Sequence, residues 1–506
     1  MAKKKQTSKQ IKKPLFKTAG FYFVLIYALL TILFIVQMFT SNVVPTKYLI
    51  PVVVVLLLVL LGMYYLQLGK RVNKVNRILG KVLIVILAAF LGVGNWYIFK
   101  MSDTFARMSG DNTQTDVMSV VVMKESPLKE IEDLKGKKLG IVKTGDVSLN
   151  TKALADIEKD LGEEVTTVEY SSYKEFGDDL YDGNVDAILV NEGSRGLFED
   201  NHPNFNDETR FIKQYTYEKE TKDISKDVNV TKEPFSVYIS GIDTYGSISS
   251  VSRSDVNMIV TVNPNTHQVL LTSIPRDYYV PQPCQGGQTD KLTHSGLWGV
   301  EATVETIEEY FGTDINYYAR VNFSSLIDIV DALGGITVEN PVAFTASDGT
   351  YSYAAGNINM DGAQALRFAR ERYNLADGDR DRGRNQMRVI TGMINKMISP
   401  SIITRYTSIM SAIGGSFQTN MSSNEMSSLV KMQIDDMSGW DIKQISVSGV
   451  GNGSAWSPAN GFNAWVMEPD QATVTNAVTL IKKVNSGEMV TDSDVAHQNE
   501  LVANVG

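Results

Sequence analysis

The sequence predicts an α/β protein: an α/β/α sandwich over residues 234–485 and a smaller α/β accessory domain over 115–222, preceded by three transmembrane helices within 19–99. Three observations carry that prediction. Three apolar runs follow one another with short loops between them, and each, at about 20 residues, is long enough to cross a hydrocarbon core of roughly 30 Å. Beyond residue 100, short apolar strands alternate with amphipathic helical stretches, which is the pattern of layered α/β domains. Charge divides sharply along the chain: residues 1–100 hold 14 Lys or Arg and no Asp or Glu, which leaves 34 basic against 57 acidic side chains in the rest.

Residues 1–18 are a basic leader that carries Lys3, Lys4, Lys5, Lys9, Lys12, Lys13 and Lys17. The spans lie at 19–39, 48–68 and 78–99. Three such runs in succession do not fit the buried helices of a soluble core. The first is too long for a signal-peptide h-region and no small-residue cleavage site follows it, so it is expected to stay as an anchor. The loop between the second and third spans has Lys70, Arg71, Lys74 and Arg77, whereas the first loop has only Lys47. The positive-inside rule therefore places the N-terminus in the cytoplasm and everything after the third span outside.

Cys284 is the single cysteine of the 506 residues and there are four His, so an intrachain disulfide and a Cys/His zinc site are both excluded. An exterior almost free of cysteine fits a Gram-positive bacterium. Its strongly acidic balance repels phosphate backbones, which argues against a nucleic-acid partner.

In the accessory domain, strands are expected at 117–123, 139–142 and 185–190, with helices at 148–161 and 172–181. The stretches LKEIEDLKGKKLGIVKTGD and YKEFGDDLYDGNVDAILVN resemble one lobe of a solute-binding protein. A single lobe lacks the second wall of a ligand cleft, so a spacer or protein-contact module is the preferred reading. Residues 218–233 read as a charged linker. The sandwich opens with the strands FSVYISGID, VNMIVTVNP and QVLLTSIPRD. Helices follow at 300–311, 324–333, 361–372, 383–398 and 424–432, with a strand at 442–448. Leu326, Ile329, Val330 and Leu333 share one helical face. Residues 486–506 read as a polar, frayed tail.

Charged residues gather where the strands of the sandwich end: Asp243 after the first, Arg253 and Asp255 at the second, Arg276 and Asp277 after the third. Strand ends are where open α/β sheets bind ligands. The strongest local signal is LRFARERYNLADGDRDRGRNQMR, in which Arg367, Arg370, Arg372, Arg380, Arg382, Arg384 and Arg388 fall within 22 residues, beside Glu371, Asp377, Asp379 and Asp381. A solvated helix face accounts for Arg380, Asp381 and Arg384. It does not account for Arg370 and Arg372 at the end of one helix facing Arg382 and Gln386 at the start of the next. One loop would then present donors from two helix ends to a shared anion, and guanidinium forks suit a diphosphate. Asp243 and Asp255 add the hard oxygens that Mg2+ prefers. Gly449, Gly451 and Gly453 read as a simple Gly-rich turn.

With these residues in place, the sequence resembles the LytR-CpsA-Psr family of Gram-positive cell-envelope proteins. GID, SRSDVNMI, SIPRD, DKLTHSG, VNFSSLIDIVDALGGITV, GAQALRFARER and DRGRNQ stand in family order from 234 to about 400. The three spans and accessory domain resemble the streptococcal, capsule-associated branch. The resemblance implies a multi-pass plasma-membrane phosphotransferase dependent on Mg2+, with Mn2+ as the alternative. It would move a glycopolymer, expected to be capsular polysaccharide, from a polyprenyl-diphosphate carrier to peptidoglycan, with a muramic-acid hydroxyl attacking and polyprenyl phosphate leaving. Other capsule-assembly proteins would be partners.

Residue by residue, the resemblance makes Asp243 and Asp255 the metal-side carboxylates. It makes Arg253, Arg276, Lys291, Arg370, Arg372, Arg382 and Gln386 the diphosphate contacts and Asp379 the acid that orients them. Arg253, Arg276, Asp379 and Arg382 form the catalytic set. His294 reads as a structural hydrogen-bonding residue. The helices 324–333 and 389–398 are apolar enough to line a channel for a prenyl tail, although such stripes ordinarily mean core. Two competing functions stay open at this point: a polyprenyl-diphosphate phosphohydrolase using the same groups, and a non-enzymatic regulator of capsule synthesis.

Overall fold

The computed structural model describes residues 18–41, 46–108, 113–143, 147–199, 201–242, 248–400, 405, 409, 412 and 417–505. The chain divides into two compact units, Met1–Phe105 with Ser423–Asp436, and Ala106–Ser422 with Met437–Gly506. In the first unit, α1 (Ala19–Thr40), α2 (Thr46–Leu68) and α3 (Lys74–Met108) are each long and apolar enough to cross a membrane by length and composition. Val24, Tyr27, Met63, Ile84 and Leu91 form their shared core. Ile26, Leu58 and Phe90 point outward and are exposed, the surface that a lipid-facing bundle requires. The helix Ser423–Asp436, expected within the sandwich, belongs to this unit.

The second unit opens with the accessory domain: β1 (Thr113–Met123), β2 (Lys138–Val142), α4 (Val147–Leu161), β3 (Thr166–Tyr170), α5 (Tyr173–Tyr181), β4 (Ala187–Asn191) and β5 (Thr209–Glu220). Among the described residues these strands form one sheet in the order β3-β2-β4-β1-β5. β2 runs parallel to β3 and β4, and β1 antiparallel to β4 and β5. Alternate residues of β1 serve two layers, as a strand's period of two dictates. Met118, Val120 and Val122 pack with Leu149, Ala153 and Ile157 of α4, while Val121 packs with Phe176 and Leu180 of α5.

The sandwich follows with β6 (Phe235–Ile242), β7 (Ser254–Asn263), β8 (Gln268–Ile274), α6 (Val300–Phe311), β9 (Tyr317–Val321), α7 (Phe323–Leu333), α8 (Gly362–Arg370), α9 (Asp379–Met397), β10 (Phe417–Thr419), β11 (Asp441–Ser446), a hairpin of β12 (Gly449–Ser457) and β13 (Phe462–Pro469), α10 (Gln471–Asn485) and α11 (Asp492–Ala503). Among the described residues its central sheet runs β10-β9-β6-β7-β8-β11, parallel at β6/β9 and β8/β11 and antiparallel elsewhere. One face buries Tyr238, Ile259 and Leu270 under Val304 and Ile307 of α6 and Ala477, Leu480 and Ile481 of α10. The other buries Met258, Val260 and Leu271 against Met387, Ile390 and Ile394 of α9. Each fully buried side chain of this size contributes about 1.5–3 kcal/mol. Ile329, Val330 and Leu333 of α7 are buried and Leu326 is half-buried, so that predicted stripe is a packing face.

Two further expectations are corrected. Over its described part, 486–505, the stretch that read as a frayed tail is ordered: Thr491 caps α11, accepting from the Asp494 N–H, and Val490 and Val502 are buried. Gln498, wholly enclosed, donates to the carbonyls of Ser446 at 2.7 Å and Thr473 at 3.1 Å and accepts from Asn476 at 2.8 Å. The polar residues that made this segment read as a tail are internal hydrogen-bonding groups, so the sandwich runs past 485. Gly449, Gly451 and Gly453 form part of strand β12 rather than a turn, because β12 pairs with β13 from Gly449↔Pro469 to Ser457↔Phe462.

Candidate active site

The antiparallel register sets Ile242, the end of β6, beside Ser254, the start of β7, and Asn257 of β7 beside Ile274, the end of β8. Arg253, Asp255 and Arg276 are thereby drawn to one end of the sheet. Asp243 lies outside the described residues. Asp255 is almost enclosed; its Oδ1 accepts from Arg276 Nη1 at 3.1 Å and from the Thr293 hydroxyl at 3.0 Å. Arg276 Nε is 3.5 Å from Asp277 Oδ2, and Lys291 Nζ is 3.6 Å from Asp277 Oδ1. Burial alone would raise the Asp255 carboxyl, but the charges of Arg276, Arg253 and Arg382 outweigh it and hold the group well below the usual carboxylate range. In return Asp255 foremost, then Asp277 and Asp379, raise Arg276.

The arginine-rich stretch supplies the facing wall. Asp361 caps α8, accepting from the Gln364 N–H while the Gln364 side chain accepts from the Asp361 N–H. Gly362 allows α8 to approach α7 closely, since a Cβ there would lie 2.4 Å from the Ile327 carbonyl. Arg370 ends α8 with its guanidinium 4.1 Å from the Phe323 ring centre. Arg372 donates to the Tyr373 hydroxyl at 3.1 Å. At the start of α9, Arg382 Nη2 pairs with Asp379 Oδ1 at 2.6 Å. Burial lowers Arg382, opposed by Asp379, and the charges of Arg276, Asp255 and Arg372 also reach it. Gln386, one turn on, donates to the Ala369 carbonyl at 3.5 Å.

The structure thus brings Arg253, Asp255, Arg276, Lys291, Asp379 and Arg382 together, with Arg372 within electrostatic range. Arg370 and Gln386 border them on the last turn of α8 and the second turn of α9. His294 is buried with Nδ1 2.9 Å from Asp290 Oδ1. That carboxylate also accepts from the Ser457 hydroxyl at 2.8 Å and the Ala459 N–H at 2.9 Å, a structural network.

Sequence reasoning missed the role of Glu371, which it counted only as an acidic neighbour. Its side chain is enclosed. Oε1 accepts from the backbone N–H groups of Arg372, Tyr373 and Asn374 at 3.1, 3.0 and 3.0 Å. Oε2 accepts from the Ser347 N–H at 2.8 Å and from Arg367 Nη2 at 3.0 Å. Burial would raise this carboxyl, yet the backbone donors and Arg367 bring it below its ordinary value. Glu371 therefore shapes the loop that presents Arg372. Asp277, which joins Arg276 to Lys291, and Thr293, on Asp255, are the other supports.

Among the described residues, no group of three or more His, Cys, Asp or Glu side chains is arranged to hold a metal. Asp255 Oδ2 is buried and has no hydrogen-bond partner among the described residues. A hard anionic oxygen left in this state fits one ligand of a divalent cation.

The LytR_cpsA_psr family model matches residues 205–482. A second model, DNA polymerase processivity factor, matches 74–190; that stretch takes in α3 and the accessory domain without β5, and so coincides with no complete folded unit. The polyisoprenyl-teichoic acid–peptidoglycan teichoic acid transferase TagU of Enterococcus faecalis is 38% identical over 241 residues, covering 47% of this chain and 77% of that protein. Its Bacillus anthracis namesake is 37% identical over 224 residues, covering 44% and 72%. The crystal structure of B. subtilis TagU is 30% identical, covers 51% of this chain and 100% of that one, and has a TM-score of 0.40.

Proposed function

Because this chain belongs to the LytR-CpsA-Psr family, we propose that it is a phosphotransferase that moves a glycopolymer from a polyprenyl-diphosphate carrier to cell-wall peptidoglycan. The observation that carries this reading is the balance of charge at the strand ends. There the sandwich sets Arg253, Arg276, Lys291, Arg372 and Arg382 against Asp255, Asp277 and Asp379, and Arg370 stands at the rim. Carboxylates hold the guanidinium groups in place, and the excess positive charge is left for an anion. A diphosphate diester bears two negative charges, and paired guanidinium donors match its oxygens.

In the reaction, the oxygen of a muramic-acid hydroxyl forms a bond to the sugar-side phosphorus as the bond from that phosphorus to the bridging oxygen breaks. Polyprenyl phosphate leaves with the electron pair, and the proton of the hydroxyl passes to solvent. Arg253, Arg276 and Arg382 stabilise the charge that develops on the phosphoryl and leaving oxygens, and their fixed placement avoids reorganisation during the step. Asp379 orients Arg382, and Glu371 sets the loop that carries Arg372. Asp255 and Asp243 would hold Mg2+ or Mn2+, which when bound supplies charge neutralisation at phosphoryl oxygens.

We assign the polymer as capsular polysaccharide, on the combination of three spans and an accessory domain. The teichoic acid in the relatives' names is the competing donor, and donor preference decides between them. The helices α1–α3 anchor the chain in the plasma membrane with the basic leader in the cytoplasm and the second unit outside. In cells, Arg370→Ala should abolish attachment of the polymer to the wall while protein level and membrane insertion stay normal. Unchanged attachment would overturn the enzyme reading.

A further inference from the structure

The accessory domain reaches into the site just described. Arg253 Nη1 donates to the Gly196 carbonyl at 3.2 Å, and Nη2 lies 3.6 Å from Glu199 Oε2, with the arginine side chain 17% exposed. A Cβ at Gly196 would fall 2.3 Å from Arg253 Nη2 and 2.5 Å from Cζ, so any larger residue there would push the guanidinium aside. The loop that carries Arg253 is held from two sides. On the accessory side, the Thr115 N–H donates to the Ser249 carbonyl at 2.9 Å and the Val251 N–H to the Thr115 carbonyl at 3.0 Å. The Thr115 and Ser249 hydroxyls also meet at 2.8 Å. On the sandwich side, buried Arg320 donates to the carbonyls of Ile248 at 3.0 Å and Ser250 at 2.7 Å.

We propose that the accessory domain is a working part of the active site, with the Gly196 carbonyl and Glu199 as positioning groups that aim Arg253 at the substrate diphosphate. This rests on the reading of Arg253 as a diphosphate contact. An arginine on a loop has many rotamers, and one held at both ends of its guanidinium loses less freedom on binding an anion. Seating of the accessory domain then sets how well the site holds a diphosphate, which a spacer would not do.

The test uses the full-length protein in detergent, with farnesyl diphosphate and Mg2+ as the probe, followed by calorimetry and thermal unfolding. Arg253→Ala is expected to weaken binding by about tenfold or more, the scale of a charge-assisted contact. Gly196→Ala, whose methyl group displaces the guanidinium, should weaken binding to a similar extent and add nothing in the Arg253→Ala background. Loss of affinity from Arg253→Ala with none from Gly196→Ala, or additive losses, would overturn the proposal alone. Unchanged binding by Arg253→Ala would overturn both it and the diphosphate role of that residue.

Should Gly196→Ala not fold, Glu199→Gln at its half-exposed position takes its place. Without the carboxylate the guanidinium regains rotamer freedom, so farnesyl diphosphate binding should weaken a few-fold. The loss should be absent in the Arg253→Ala background. Binding by Glu199→Gln at or above the wild-type level would overturn the proposal.

Discussion

Replacing Glu371 with Gln keeps the shape of a side chain that five donors share and removes one acceptor oxygen. If the amide oxygen takes the place of Oε1, the three loop N–H groups keep a partner, but the Ser347 N–H and Arg367 then face an NH2 group. Their bonds to the carboxylate are 2.8 and 3.0 Å long, and hydrogen bonds to a charged group contribute about 1.5–3 kcal/mol each. The loss should therefore be roughly 3–5 kcal/mol, counting the donors left unsatisfied. At 1.4 kcal/mol per tenfold, protection of the Arg372, Tyr373, Asn374 and Ser347 amides against hydrogen exchange should fall by about two to three and a half orders of magnitude. Transfer activity should fall about a hundredfold if Arg372 shifts by an ångström. Hydrogen–deuterium exchange read by mass spectrometry across 345–375, alongside a transfer assay, measures both. Wild-type protection in Glu371→Gln would refute the claim that this carboxylate organises the loop.

Three further predictions follow from the same geometry. Asp255→Asn removes a hard anionic oxygen, so binding of Mn2+ followed by electron paramagnetic resonance should weaken at least about tenfold; unchanged affinity would place the metal elsewhere. Asp255, Asp290 and Glu371 all titrate below their ordinary values. Their contribution to stability is complete above the unfolded carboxyl pKa of about 4 and is lost as pH falls through the lower folded values. Denaturant midpoints should thus hold steady from these groups above about pH 5 and drop below about pH 4, and a midpoint rising on acidification would contradict the assignment. Gln498→Ala should destabilise the second unit by about 1–3 kcal/mol, because the Asn476 amide and the Ser446 and Thr473 carbonyls lose an enclosed partner. No shift in the unfolding midpoint would mean that the Gln498 hydrogen bonds contribute no stability.

The parts of this protein that were legible in the sequence are those written in short-range pattern. Three uninterrupted apolar runs give α1–α3, and the alternation along FSVYISGID and VNMIVTVNP gives β6 and β7. Of the arginines at the end of one helix and the start of the next, Arg372 and Arg382 lie within electrostatic range of each other, whereas Arg370 lies against the Phe323 ring. What escaped depends on partners distant in sequence. The β3 and β5 strands of the accessory sheet are rich in polar residues, and β5 runs to Glu220, into the stretch that read as a linker. Gln498 looks like a tail residue until the carbonyls of β11 and α10 are placed against it. Glu371 carries no signal as a loop organiser, because its donors are backbone groups that any sequence has. The contact of Gly196 and Glu199 with Arg253 joins two domains across more than fifty residues, and no local motif announces it.

The most direct test of the central claim is to incubate the purified full-length protein with a polyprenyl-diphosphate-linked oligosaccharide, peptidoglycan fragments and Mg2+, and to analyse the products by mass spectrometry. The account predicts a sugar-phosphate adduct on the peptidoglycan with release of polyprenyl phosphate, both lost in Arg276→Ala. Cleavage of the diphosphate without an adduct, or no turnover of the wild-type protein, would contradict it.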